Sequence, residues 1–195
     1  LHHLPVFPFL TRLKIRTSLH EIIFSGHFED NGKSILLIAN HISWWDGFWV
    51  MALNMSHFHR KMEFMMLEEN LQKSPILKQV GAFSIKRKSP SSIKSLHYSI
   101  KLLEHPENLV LIFPQGIIHS NYQTDIHFER GIYYIMERIN GETQVVFVAN
   151  LIDYFSNKKP NLTIYFKTYL AHQFKMLDIQ KEYNRFHQQA VNKQK

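Results

Sequence analysis

Ile35-Leu36-Leu37-Ile38-Ala39, continued by Asn40-His41-Ile42-Ser43-Trp44-Trp45-Asp46, passes from an unbroken apolar run into a polar loop. A short apolar run of this kind fits a strand buried on both faces. The loop after it carries a histidine and an aspartate with four residues between them. A histidine titrates at about 6.5 and can take up a proton at neutral pH. A carboxylate beside it fixes one ring tautomer and stabilises the imidazolium. Such a pair activates a hydroxyl. The same residues also fit a capping box, with Ser43 as N-cap and Asp46 three positions later. The two readings are compatible, because a chain that turns at Ser43 lets His41 fold back to Asp46.

Further apolar runs flank this one. Residues 21–28 and 62–67 read as strands, and Asp30-Asn31-Gly32 as a turn. Residues 46–55 read as a helix, and Pro75 as the first turn of a short helix ending near Gly81. Residues 82–85 form a short strand leading into Lys86-Arg87-Lys88. Ser91 or Ser92 then caps a helix whose Ile93, Leu96, Ile100 and Leu103 recur at helical spacing. Leu109–Phe113 is a buried strand that runs into Pro114-Gln115-Gly116. A helix over 131–139, strands over 145–149 and 162–170, and a polar helix within 175–195 complete the pattern. Helices alternating with apolar strands predict an α/β layered fold. Three polar clusters follow strands: Asn40-His41, Lys86-Arg87 and Gln115-Gly116. Open α/β sheets gather ligands beyond the carboxyl ends of their strands, so these clusters should converge.

Composition narrows the chemistry. The chain of 195 residues reads as one domain over 1–195. It has no cysteine, which removes thiol nucleophiles, disulfides and cysteine-ligated metals. A net charge of +7 attracts phosphates or an anionic membrane surface. No apolar run approaches the roughly 18–20 residues that span a bilayer. Residues 1–19 read as a membrane-interface segment or as a disordered or packed terminus: Leu4–Leu10 is apolar and aromatic, and Arg12, Lys14 and Arg16 follow. Its prolines are expected to break a helix. The chain opens on Leu1, which admits an anchor preceding it. No aromatic RNA-binding pattern or recognition helix points to nucleic acid.

The remaining candidates each have a plain alternative. Ser43 would be a nucleophile only in a Ser/His/Asp site, and no G-x-S-x-G elbow exists. Arg87, within the basic cluster, is either solvated or a fork for phosphate. Phe113-Pro114-Gln115-Gly116 is either a simple turn or a set of backbone donors for an anion. His57-Phe58-His59 lacks an H-E-x-x-H pattern and reads as surface, so no metal site is expected. Trp44, Trp45 and Trp49 fit a core or the wall of an acyl channel.

The order of these pieces resembles the glycerolipid acyltransferases, the 1-acylglycerol-3-phosphate and lysophospholipid acyltransferases. That family carries N-H-x-x-x-x-D, G-x-x-x-x-x-R and F-P-E-G-T-R-S blocks, then a hydrophobic strand. Here they stand as Asn40-His41 to Asp46, Gly81 to Arg87, Phe113 to Ser120, and Val145 to Ala149. Gly131, after Phe128-Glu129-Arg130, fits the family's usual glycine. The resemblance covers residues 20–170 and departs in the third block. Gln115 replaces glutamate, Ile117 threonine and Ile118 arginine, and Phe147 stands near the fourth block's usual proline.

The resemblance implies a mixed, mostly parallel sheet flanked by helices, lying peripherally on the cytoplasmic face of a membrane. It implies His41 and Asp46 as the catalytic pair. Arg87, Phe113, Pro114, Gln115 and Gly116 would bind substrate, with donors near Gly116 for the oxyanion. The donor would be acyl-CoA or acyl-carrier protein, with no cofactor and no acyl-enzyme. The acceptor would be a lysophospholipid such as 1-acylglycerol-3-phosphate. The altered third block also admits a non-phosphate lipid alcohol such as a glycosylated terpenoid, and a non-catalytic lipid-binding domain is the further alternative.

Overall fold

The computed structural model describes residues 6–87, 89–139, 141–169 and 178–194. Among them, seven strands form one sheet in the order β1-β7-β6-β2-β5-β3-β4. These are β1 Glu21–His27, β2 Ser34–Ala39, β3 Lys61–Leu67, β4 Ala82–Ile85, β5 Asn108–Ile112, β6 Thr143–Asp153 and β7 Asn161–Tyr169. Neighbouring strands run parallel except β6 and β7, which are antiparallel. The expected α/β sheet, mixed and mostly parallel, is therefore the observed one.

β2 lies between β5 and β6 and is buried along its whole length. Its side chains alternate between two faces, as a pleated strand requires. Ile35, Leu37 and Ala39 enter one core with Trp49, Val50, Leu53 and Phe58. Leu36 and Ile38 enter the other with Leu96, Leu102, Ile132 and Tyr183. Each such buried Leu or Ile contributes ~1.5–3 kcal/mol by leaving water. This two-sided demand is why the run shows no polar alternation. β1, at the edge, alternates exposed and half-buried positions instead.

The helices cover these faces: α1 Val6–Ser18, α2 Asp46–Leu53, α3 Glu68–Lys73, α4 Ser92–Leu102, α5 Arg130–Met136 and α6 Ile179–Lys193. A π-helical turn, Asn54–Phe58, prolongs α2. A 3₁₀ turn, Pro75–Val80, ends at Gly81, whose φ of 99° is left-handed. Several sequence expectations shift here. α1 runs through Pro8 rather than breaking. That proline lies in the first turn, where its missing N–H has no intrahelical acceptor to lose. α2 begins at Asp46, so Ser43 is not its N-cap. Ser91 holds the N-cap position of α4 as expected but makes no side-chain cap bond, and the Ser92 hydroxyl donates to Ser89 O. Ile93 is exposed on α4, while Leu96 and Leu103 are buried. β6 extends past Ala149 to Asp153 and α5 stops at Met136. Lys88 and residues 170–177 lie outside the described residues.

α6 closes the second core. Tyr183 is fully buried and donates its hydroxyl to Val148 O at 2.7 Å. One turn on, His187 is buried and its Nδ1 has no hydrogen-bond partner among the described residues. Burial pushes its pKa down to about 4. The folded protein thus holds this ring neutral, whereas the unfolded chain protonates it from about pH 6.5 downward. The associated stability is complete above that pH and is lost as pH falls toward 4. At about 1.4 kcal/mol per pKa unit, the loss is about 3 kcal/mol. Urea unfolding at a series of pH values should therefore show wild type losing about that much more than His187→Leu across this window. Parallel pH curves for the two proteins would contradict the assignment.

Candidate active site

All three polar clusters come to the carboxyl edge of the sheet, because β2, β4 and β5 run the same way. Asn40, the first residue past β2, is fully buried. Its Nδ2 donates to Asn150 O at 2.9 Å, and its Oδ1 accepts the Asn150 N–H at 2.7 Å. This reciprocal pair clamps the loop to β6. The backbone N–H of His41 then donates to Gln115 Oε1 at 2.6 Å, and the N–H of His119 donates to His41 O at 2.9 Å. The imidazole stacks on Phe113, with centroids 4.1 Å apart and planes 12° from parallel. The first and third sequence blocks thus build one structure.

His41 Nδ1 lies 2.7 Å from Asp46 Oδ2. The same oxygen accepts the backbone N–H groups of Ile42 at 2.7 Å and Ser43 at 2.9 Å. An oxygen that already accepts two N–H donors sets the histidine tautomer: Nδ1 carries the proton and Nε2 keeps a lone pair. Asp46 is fully buried, and its other oxygen has no hydrogen-bond partner among the described residues. Burial raises its pKa above the usual carboxylate value. The hydrogen bond and charge of His41, with the Ser43 and Ile42 N–H groups, oppose that rise.

The capping-box expectation holds in half. Asp46 reaches back to the Ser43 N–H, but Ser43 Oγ accepts the N–H of Trp45 at 3.1 Å instead of serving Asp46. Ser43 lines a cavity of about 350 Å³ beneath α1, whereas His41 lines a larger one on the other side of the loop. Nothing in this placement makes Ser43 a nucleophile.

The larger cavity measures about 1000 Å³. Trp44, Phe48, Met66, Leu77, Ile93 and Leu96 supply apolar walls, whereas Trp45 and the buried Trp49 line the smaller cavity. Arg87, Phe113, Pro114 and Gly116 line it with His41. Gly116 has a φ of 68°, which glycine adopts without strain. Its own N–H donates to Phe113 O at 3.1 Å, so a donor for an oxyanion near Gly116 would come from a neighbouring backbone N–H. Arg87 is ion-paired with Glu129, and a Cβ on Gly116 would stand 3.2 Å from Glu129 Cγ and 3.9 Å from Arg87 Cζ. The Glu129 N–H donates to Pro114 O at 2.8 Å. Among the described residues, no three histidine, aspartate or glutamate side chains group to hold a metal ion.

Of the polar residues that build this edge, sequence reasoning gave no role to Asn150 or Glu129. Their signals were faint: Asn150 follows the fourth block directly, and Glu129 is the one acid beside Arg130.

An α/β domain with a buried carboxylate–histidine pair beside an apolar cavity defines the class of this protein. A family model described as Acyltransferase matches residues 17–151, and the chain belongs to that family, the glycerolipid acyltransferases. Its general activity is acyl transfer. A comparison with curated proteins finds no match.

Gln115 is buried, and its amide oxygen holds the His41 N–H. Gln115→Leu should cost about 1–3 kcal/mol, the penalty of an orphaned buried donor. Gln115→Glu keeps an acceptor there but buries a charge, so its stability deficit should shrink from pH 7 to pH 4 as the new carboxyl protonates. Chemical denaturation checks both. A neutral Gln115→Leu would show that the bond is unimportant.

Proposed function

We propose that the protein transfers a fatty acyl group from acyl-CoA or acyl-carrier protein to the hydroxyl of a single-chain lipid acceptor. His41 is the general base, and no acyl-enzyme forms. The observation that carries this reading is the 2.7 Å contact of His41 Nδ1 with Asp46, beside a cavity of about 1000 Å³. With Nδ1 committed, Nε2 is the nitrogen left to take a proton.

The steps follow from that tautomer. The acceptor O–H gives its proton to Nε2 as its oxygen attacks the thioester carbonyl carbon. The imidazolium is held by the Asp46 carboxylate. The tetrahedral intermediate collapses, the C–S bond breaks, and the leaving thiolate takes the proton back from Nε2. An ester and a free thiol are the products. Stacking on Phe113 and the Asp46 bond keep the ring from swinging away, and the Gln115 bond holds the backbone behind it. The apolar walls offer space to the acyl chain. No metal or cofactor enters these steps.

Both lipid substrates favour a membrane surface, and we place the protein peripherally on the cytoplasmic face. No described helix is long and apolar enough to cross a membrane. α1 supports the reading. Thr11 is buried, Ile15 packs on the core, and Lys14 Nζ sits 3.9 Å over the Trp45 ring. Phe9 and Leu13, one turn apart, are 64% and 50% exposed. Arg12 and Arg16 are exposed beside them. One side of the helix docks on the domain while the other offers aromatic, aliphatic and cationic groups to lipid.

His41→Ala should lower turnover on the order of 10²–10⁴-fold with the fold intact by circular dichroism. Near-normal turnover by the folded variant would remove the base. Phe9→Ser with Leu13→Ser should weaken sedimentation with anionic vesicles, and added salt should weaken it further, since each cation near the surface contributes about 1 kcal/mol. Equal sedimentation of wild type and variant would take α1 out of the membrane contact.

A further inference from the structure

At the turn that holds the histidine, the arginine of the large cavity already has a partner. Arg87 is the arginine seated on the Gly116 turn, and its guanidinium is already paired with Glu129. Gln115, one residue earlier, commits its amide oxygen to the His41 N–H. Ile117 and Ile118, the next two residues, line the same cavity and are 44% and 49% exposed. Arg130 and His127 also line it, so Arg87 is not the rim's sole candidate for an anion. What Glu129 engages is one guanidinium nitrogen, Nη2, of the arginine at the turn that holds the histidine.

A phosphate monoester reaching this turn would have to share Arg87 with the Glu129 carboxylate, or displace it, and lie beside it. Two like charges side by side oppose that exchange. A neutral hydroxylated head group meets no such barrier. It can donate to the carboxylate or accept from the guanidinium while the pair stays formed. Resting on the acyl-transfer reading above, we propose that Glu129 determines acceptor specificity. By occupying Arg87 it selects an uncharged lipid alcohol over an acceptor bearing a phosphate monoester.

The two partners of this ion pair are 42 residues apart in the chain, so each can be altered separately. The test compares kcat/KM for 1-monoacylglycerol and for lysophosphatidic acid of the same chain length, with one acyl-CoA as donor. Wild type should favour monoacylglycerol. Glu129→Gln should move the ratio toward lysophosphatidic acid by about tenfold or more, the scale of one new charge-assisted hydrogen bond. In an Arg87→Ala background the same substitution should move the ratio little, because no fork is released. Taking a ratio cancels any general loss of activity, and the wild-type ratio needs no variant to fold. A wild-type preference for lysophosphatidic acid would overturn the proposal. So would a ratio that Glu129→Gln leaves unchanged, or one it changes equally without Arg87. Failure to acylate either lipid or any other alcohol in a panel would instead overturn the acyl-transfer reading, and this inference with it.

Discussion

The Asp46 carboxylate accepts three N–H donors on one oxygen: the His41 ring and the backbones of Ile42 and Ser43. Those bonds bend the loop after β2 back on itself. Without the bend, a histidine five positions upstream would point along the strand, away from the first turn of α2. The carboxylate therefore does two things at once. It sets the backbone that presents His41, and it sets the tautomer that leaves Nε2 basic. Burial works against the ionised form, as the raised pKa of Asp46 records. The N–H donors offset that cost, and one oxygen is still left without a partner among the described residues. On the proposed mechanism, this buried carboxylate is what keeps the base ready.

The sheet makes this arrangement possible. Parallel strands deliver the loops after β2, β4 and β5 to one edge. Asn40 then fastens the first loop to β6, and Gln115 fastens it to the third. Each tie uses a neutral amide, so the histidine is positioned without adding a competing charge. The charged pair at this edge, Arg87 with Glu129, meets through one guanidinium nitrogen. The cavity beside His41 thus combines apolar walls with a polar rim of Arg87, His127, Glu129 and Arg130.

Much of this was legible in the sequence, for definite reasons. β2 and β5 show because a strand covered on both sides tolerates no polar alternation. The His41–Asp46 pair shows because its partners are close in the chain and its chemistry needs those residue types. α1 was hidden by Pro8, whose position in a first turn cannot be told from a helix break without the start being known. α3 has only six residues, led by two glutamates, and leaves too little periodicity to read. The antiparallel pairing of β6 with β7 is a long-range choice with no local signature. The Arg87–Glu129 pair is hidden for the same reason. Gln115 and Ile118 show charge leaving the third block, but the acid that neutralises Arg87 lies 42 residues beyond it. Local pattern cannot report such a pairing. The loss of charge at Gln115 was also only half its meaning. The side chain's other property, a hydrogen-bond acceptor for the His41 N–H, became visible only with the partner in place.

Direct transfer to an acceptor activated by His41 is the central claim. Intact-mass spectrometry of the protein, taken during turnover of an acyl-CoA with a lipid alcohol, tests it in one experiment. The predicted result is an ester product and a free thiol accumulating together while the protein mass stays that of the unmodified chain. A protein carrying the acyl group, as an acylated Ser43 would, contradicts it.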